Sequence, residues 1–130
     1  LIKMAISQFR SKKKSSGGKY KRIRKQKQSE LGDTPSLTKL GEKKARIKHR
    51  LGDNIKKSLL QWDEANLTDP KTGKTIKSKI KTILESPANR HYTRRNIMTK
   101  GSIIDTDNGK AKITSRPGQH GTINAILVTE

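Results

Sequence analysis

Between Asn89 and Asn96 the chain places three arginines, a histidine, a tyrosine and two asparagines within eight residues. Guanidinium forks grip phosphate oxygens in pairs, aromatic rings stack on bases, and asparagine amides read base edges. Asn89, Arg90, His91, Tyr92, Arg94, Arg95 and Asn96 are therefore candidates for contact with a folded nucleic acid, against the plainer reading of a solvated charged turn. A second set lies in the first 28 residues, which hold eleven basic side chains and no acidic one. Beyond Lys3, these are Arg10, Lys12, Lys13, Lys14, Lys19, Lys21, Arg22, Arg24, Lys25 and Lys27, all suited to phosphate, and Tyr20 adds a stacking ring. A third set alternates along the chain as Arg46, Lys48 and Arg50, and again as Lys77, Lys79 and Lys81. Period-two spacing puts each trio on one face of a strand, as a comb of cations. Lys100, Arg116 and His120, set among turn residues, complete the candidates.

The other chemistry-bearing residues do not combine. Thr68-Asp69-Pro70-Lys71-Thr72-Gly73-Lys74-Thr75 ends like a phosphate-binding P-loop, yet it has Thr68 where that loop needs glycine and Pro70 where it needs a backbone donor. A β-turn between two strands explains it better. Ser11-x-x-Lys14 matches an acylase signature by chance in a lysine-rich run. Asp63 and Glu64 are neighbours that a strand would point to opposite faces, and Asp105 and Asp107 flank a turn, so the carboxylates read as counter-charges rather than an acid/base pair. With no cysteine and only His49, His91 and His120, far apart in sequence, no metal site, cofactor or small-molecule substrate is expected. His49 falls on the apolar side of its strand, as a half-buried histidine would. An enzyme is a distant third choice.

A chain of 130 residues with 31 Lys and Arg against 11 Asp and Glu carries +20 and needs a polyanion to relieve its self-repulsion. A membrane surface is disfavoured, because the basic run offers only Ile6, Phe9, Tyr20 and Ile23 where an amphipathic helix would need an apolar face. The absence of a spanning stretch or a signal-peptide core in this sequence leads us to expect a soluble, intracellular protein. RNA is preferred over duplex DNA, since no recognition helix, zinc finger or basic region with heptads can be read.

These residues must be positioned by two kinds of segment. Residues 1–28, broken by Ser15-Ser16-Gly17-Gly18, have no apolar period and read as an intrinsically disordered RNA-binding arm. Residues 29–130 hold the other 20 basic and all 11 acidic side chains, or +9, and read as the folded domain. Its turns are Asp33-Thr34-Pro35, Gly52-Asp53-Asn54, Asp69 to Gly73, Asp107-Asn108-Gly109 and Arg116-Pro117-Gly118. Between them lie strand patterns over 44–51, 59–67, 75–85, 110–115 and 122–128. Ala45, Ile47, His49 and Leu51 form the apolar side of the first; Ile76, Ser78, Ile80, Thr82 and Leu84 form that of the third. Residues 59–67 change phase between Trp62 and Ala65, as at a bulge. The fold class is mainly β: a small antiparallel barrel or roll of about six strands, with one short helical segment after Pro87 and a long basic N-terminal arm.

Several of these stretches also resemble one family. Thr68 to Lys74, Ser86-Pro87-Ala88-Asn89-Arg90-His91-Tyr92-Thr93-Arg94-Arg95-Asn96-Ile97, Thr99-Lys100-Gly101 and Ser115-Arg116-Pro117-Gly118-Gln119 with Gly121 are similar, in this order, to the eukaryotic-type protein eight of the small ribosomal subunit. The likeness runs from Met4 through Ser16-Gly17-Gly18 and Glu30-Leu31-Gly32 to nearly the end of the chain. Eukaryotic members carry a long insertion that this chain lacks, so it looks like the archaeal form. The resemblance implies a barrel-like core, an extended basic arm, a place on small-subunit ribosomal RNA beside other ribosomal proteins, and a role in translation in the cytoplasm. A related ribosome-biogenesis factor shares the C-terminal domain but is longer, with a helical N-terminal part that this chain lacks. It stands behind the alternative of an assembly factor or RNA chaperone.

Overall fold

The computed structural model describes residues 6–128, which fall into two compact units divided between Pro35 and Ser36. Lys3 and the other residues before Ile6 lie outside the described residues.

In the second unit the strand patterns become seven strands: β1 (Lys44–His49), β2 (Ile55–Gln61), β3 (Glu64–Thr68), β4 (Thr75–Glu85), β5 (Ile103–Thr106), β6 (Gly109–Ile113) and β7 (Asn124–Leu127). β3 to β7 close into a five-stranded barrel, and β1 pairs with β2 alone as a separate ribbon. Consecutive barrel strands are antiparallel, while the pair that closes the ring, β3 with β7, is parallel. Closure leaves no free edge in the ring, which suits a chain too short to shield one otherwise. The interior is aliphatic: Leu67, Ile83, Ile104, Ala111, Ile113 and Ala125 are buried there, and Trp62 packs against them half-buried.

The turns form as their residues dictate. Between β3 and β4, Asp69 accepts from the Lys71 N–H and the Thr72 hydroxyl, both at 2.9 Å, while Gly73 takes φ 68°. Thr68 and Thr75 are register partners across this loop, so the P-loop-like sequence is a hairpin turn. Asp107 and Asn108 link β5 to β6, with Thr106 opposite Gly109.

Several details of the strand reading change: β5 forms where no strand pattern is read, and β2 begins at Ile55, ahead of the pattern over 59–67. β4 keeps its phase only to Ile80; the register shifts between Ile80 and Thr82, so Ile83 is buried in place of Thr82 and Leu84. Ile76, at the hairpin end, is also exposed. Residues 59–67 are not one bulged strand: the chain turns at Trp62-Asp63, leaving the ribbon as β2 and entering the barrel as β3. The expected apolar side of β1 is uncovered: the strand lies outside the barrel and gives no residue to the core, so Ala45, Ile47, His49 and Leu51 are all exposed. Finally, helix α1 (Arg90–Arg94) follows Pro87 as expected, but Pro117–His120 forms a second short helix, α2, where the sequence reads only as a turn.

Helix α2 braces the ribbon. Gly121 caps it at φ 74°, and a Cβ there would lie 2.9 Å from the Lys57 Cβ and 3.2 Å from the Lys57 carbonyl oxygen. Only glycine satisfies both the left-handed backbone and this close approach to β2.

In the first unit, Gln8 N–H donates to the Glu30 carbonyl and Gly32 N–H to the Ile6 carbonyl, at 2.8 and 2.7 Å, so the two ends of the unit pair. Lys13 and Lys19 pair across the Lys14–Gly18 turn, where Gly17 has φ 85°.

Candidate nucleic-acid interface

The arginine-rich turn is held from three directions. Asn89 caps α1 by accepting from the His91 N–H at 2.9 Å. Before it, the buried Ser86 hydroxyl accepts from Ser102 Oγ at 3.3 Å, and Ser102 Oγ lies 3.0 Å from Thr99 Oγ1. After it, Ile97 and Met98 are buried; Leu40 N–H donates to the Asn96 carbonyl and Met98 N–H to the Thr38 carbonyl. With its backbone pinned, the turn keeps Asn89, Arg90, His91, Arg94, Arg95 and Asn96 exposed. Tyr92 is half-buried, so its ring is less open than that of a freely presented stacking residue. Asn96 takes φ 50°, a conformation asparagine tolerates better than most residues.

The strip 38–40 ties this turn to the ribbon: Lys39 N–H donates to the Leu60 carbonyl, and Trp62 N–H to the Lys39 carbonyl. On the ribbon, Arg46 stands opposite Ser58 and Lys48 opposite Lys56, so these four share a face; Ile47 opposite Lys57 and His49 opposite Ile55 share the other. His49, near the tip end of that second face, is exposed rather than half-buried; the same face is covered only toward the other end of the ribbon, where Gly121 approaches Lys57 and Leu59 is buried. Arg50 begins the tip loop. Lys56 also reaches Gln119 on α2. The alternation of charge does not single out Lys56 and Lys57, although their adjacency in an apolar strand pattern is a signal.

The comb on β4 is partly neutralised. Lys77 faces Asn66, but Lys79 faces Glu64 across the ladder, and Lys81, displaced at the bulge, lies 3.5 Å from Asp107. Lys100 is exposed in the turn before β5. Arg116 and His120 are brought together at the two ends of α2, where the Arg116 N–H donates to His120 Nδ1 at 3.2 Å.

In the first unit every basic residue from Arg10 to Lys27 is exposed, and Arg10, Lys14 and Arg24 sit over aromatic rings. Arg10 lies 4.3 Å from the Tyr20 ring centre and Arg24 5.2 Å from that of Phe9, a residue the charge pattern does not mark. Phe9, Tyr20 and Ile23 line a cleft of about 410 Å³ rimmed by arginines and lysines. Arg24 also pairs with Glu30 at 2.5 Å. That hydrogen bond, helped by the Lys27 N–H and the charge of Arg24, holds the Glu30 carboxyl below its ordinary range against the opposing effect of burial, and raises Arg24 in turn.

Among the described residues no group of three or more histidine, cysteine, aspartate or glutamate side chains could hold a metal, and no helix is long and apolar enough to cross a membrane. What the fold and surface define is a small, strongly basic β-barrel protein with an anchored arginine turn and a protruding cationic ribbon. The sequence profile of the ribosomal protein S8e family matches residues 7–128, and the chain belongs to that family. It is 48% identical over 118 residues to the small ribosomal subunit protein eS8 of Methanosarcina barkeri, covering 91% of this chain and 94% of that one. With the eS8 of Methanococcus aeolicus the identity is 47% over 128 residues, covering 98% and 100%; with that of Picrophilus torridus it is 46% over 125 residues, covering 96% and 100%.

Proposed function

We propose that this protein is a structural constituent of the small ribosomal subunit, in the cytoplasm, where it binds and stabilises folded small-subunit ribosomal RNA and supports translation. The observation that carries this reading is the anchored, exposed turn from Asn89 to Asn96 on a family member with a net charge of +20. A turn whose backbone is fixed by Ser86, Ile97 and Met98 can present guanidinium and amide groups in a set geometry, which is how irregular RNA is told from a plain helix. The arm and the ribbon supply the charge that holds phosphates without regard to sequence. Neighbouring ribosomal proteins complete the partners, and no step in this role calls for catalysis.

Residues 1–28 act as the threading arm. Excess positive charge, offset only at Arg24 by Glu30, keeps the stretch from Lys12 to Lys27 mobile in the free protein, and phosphates that neutralise it bring order. Backbone relaxation of the amides from Lys12 to Lys27 should therefore show low order without RNA and high order with it.

The first experiment is sedimentation of a lysate on a sucrose gradient. Presence in mature small subunits at one copy each is the expected result. Confinement to precursor particles would transfer the protein to the assembly-factor reading.

A further inference from the structure

The tip of the β1–β2 ribbon exposes three large aliphatic side chains that the charge pattern leaves unexplained: Leu51 at 96% exposure, Ile55 at 57% and Ile47 at 56%. The loop that carries them is closed. Arg50 N–H donates to the Asn54 carbonyl at 2.7 Å, and the Asn54 side-chain amide donates to the Leu51 carbonyl at 2.9 Å. Gly52 and Asp53 both take left-handed backbone conformations, φ 67° and 59°. The first is easy for glycine; the second strains an aspartate unless the surrounding bonds hold it. Leu51 is thus held outward on a braced support rather than left loose in a floppy loop.

The surroundings choose the partner. From Lys44 to Lys57 the ribbon carries six lysines and arginines and one carboxylate, Asp53. An apolar pocket on another protein would gain nothing from such a rim unless it were itself strongly acidic. An RNA offers phosphates to the rim and the faces of unstacked bases to the apolar tip. We propose that the ribbon tip is an apolar wedge for RNA, with Leu51 seated against an unstacked base at a loop or bulge, and Ile47 and Ile55 covering the adjacent sugars. Wedge residues of this kind occur where proteins open a base step, and in RNA the accessible bases lie in single-stranded loops and bulges. This rests on the RNA-binding reading above and adds a site to it.

The test uses the full chain and naked small-subunit ribosomal RNA from its source organism, in filter-binding titrations at several salt concentrations. Leu51→Ser should weaken binding about tenfold, in keeping with the loss of one buried leucine, while the slope of affinity against salt stays that of the parent protein. Leu51→Met should restore most of the affinity. Circular dichroism should be unchanged for both, since the side chain touches no core. In a second arm, Leu51 is replaced by its photo-activatable diazirine analogue and the protein is assembled into subunits before irradiation; crosslinks should fall on RNA. Unchanged affinity of Leu51→Ser, or crosslinks that fall on a neighbouring protein, would overturn the wedge and leave the RNA-binding reading standing. Failure of the parent protein itself to bind would overturn both.

Discussion

The barrel and the N-terminal unit differ in what keeps them together. In the barrel, Ile104 and Ala111 are fully buried, and hydroxyls inside it, such as Thr106 donating to the Gly109 carbonyl at 2.7 Å, find partners. In the N-terminal unit Ile6, Phe9, Tyr20, Ile23 and Leu31 are all exposed, and the aromatic rings are covered by cations instead. The barrel is held by removing apolar surface from water, which needs no partner. The arm is held by charge and ring contacts of its own, worth only about 0.5–1 kcal/mol each where exposed. One sequence therefore contains a unit built round a buried aliphatic core and an appendage without one.

The largest effect that would break this comparison lies in the core. Ile104→Ala should cost about 2–5 kcal/mol, enough to unfold a large share of a small barrel, because the removed atoms leave a cavity between β4 and β6. Phe9→Ala should leave the barrel transition where it was. Urea titrations followed by Trp62 fluorescence measure both, and equal losses would mean that the arm is part of the core.

Binding reverses the order of importance. Replacing Lys12, Lys13 and Lys14 with alanine should lower the salt slope for RNA by about 0.7–0.9 for each phosphate that is no longer neutralised. Lys77→Ala with Lys79→Ala should lower it less, since Lys79 already faces Glu64 across the ladder. Filter binding between low and moderate salt decides this; a larger loss from the β4 pair would make the barrel face, rather than the arm, the main electrostatic anchor. Neither change should alter discrimination between cognate and competitor RNA. Tyr92→Ala should, by about 1–3 kcal/mol if its half-buried ring stacks on a base. An equal loss of affinity for both RNAs would show that the anchored turn only positions the protein.

The barrel is legible where a period-two face is in fact covered: the patterns over 110–115 and 122–128 lie close to β6 and β7, whereas β5, Ile103–Thr106, is marked by no strand pattern read from the sequence. The errors arise where periodicity says which residues share a face but not whether anything covers it. On β1 the alternation is sound, yet the strand lies outside the barrel and its own aliphatic residues stay in water. On β4 a bulge exchanges Thr82 for Ile83, and a bulge has no reliable composition of its own. Buried Ser86, Ser102 and Ser115 are invisible for another reason: a hydroxyl reads as polar until its partner is known, and these find theirs in tertiary hydrogen bonds. For the candidate site, the density of arginines locates the turn, and Pro87 locates its helix. That Ser86, Thr38 and Met98 anchor it cannot be read, because those contacts join residues far apart in sequence.

The smallest expected effect sharpens the same contrast at two carboxylates. Glu30 in the first unit and Asp69 in the barrel unit are both held below their ordinary pKa, but by different means. For Glu30 the main cause is the hydrogen bond from the charged Arg24; for Asp69 it is the Lys71 N–H, followed by the Thr72 hydroxyl, donors fixed by the turn itself. A depressed carboxyl stabilises its turn fully above the ordinary value of about 4, and that support is lost as pH falls through the depressed value. Both turns should therefore loosen only below about pH 4. Salt should separate them. An exposed ion pair is screened at about 1 M, where the Debye length is only about 3 Å, whereas hydrogen bonds from neutral donors within a four-residue turn are not. Carboxyl carbon NMR titrations in low and high salt should show the Glu30 midpoint rising toward its ordinary value while that of Asp69 moves little. If the Asp69 midpoint rose as far, its turn would also be held by charge, through Lys71, and the barrel's loops would share the arm's dependence on ionic conditions.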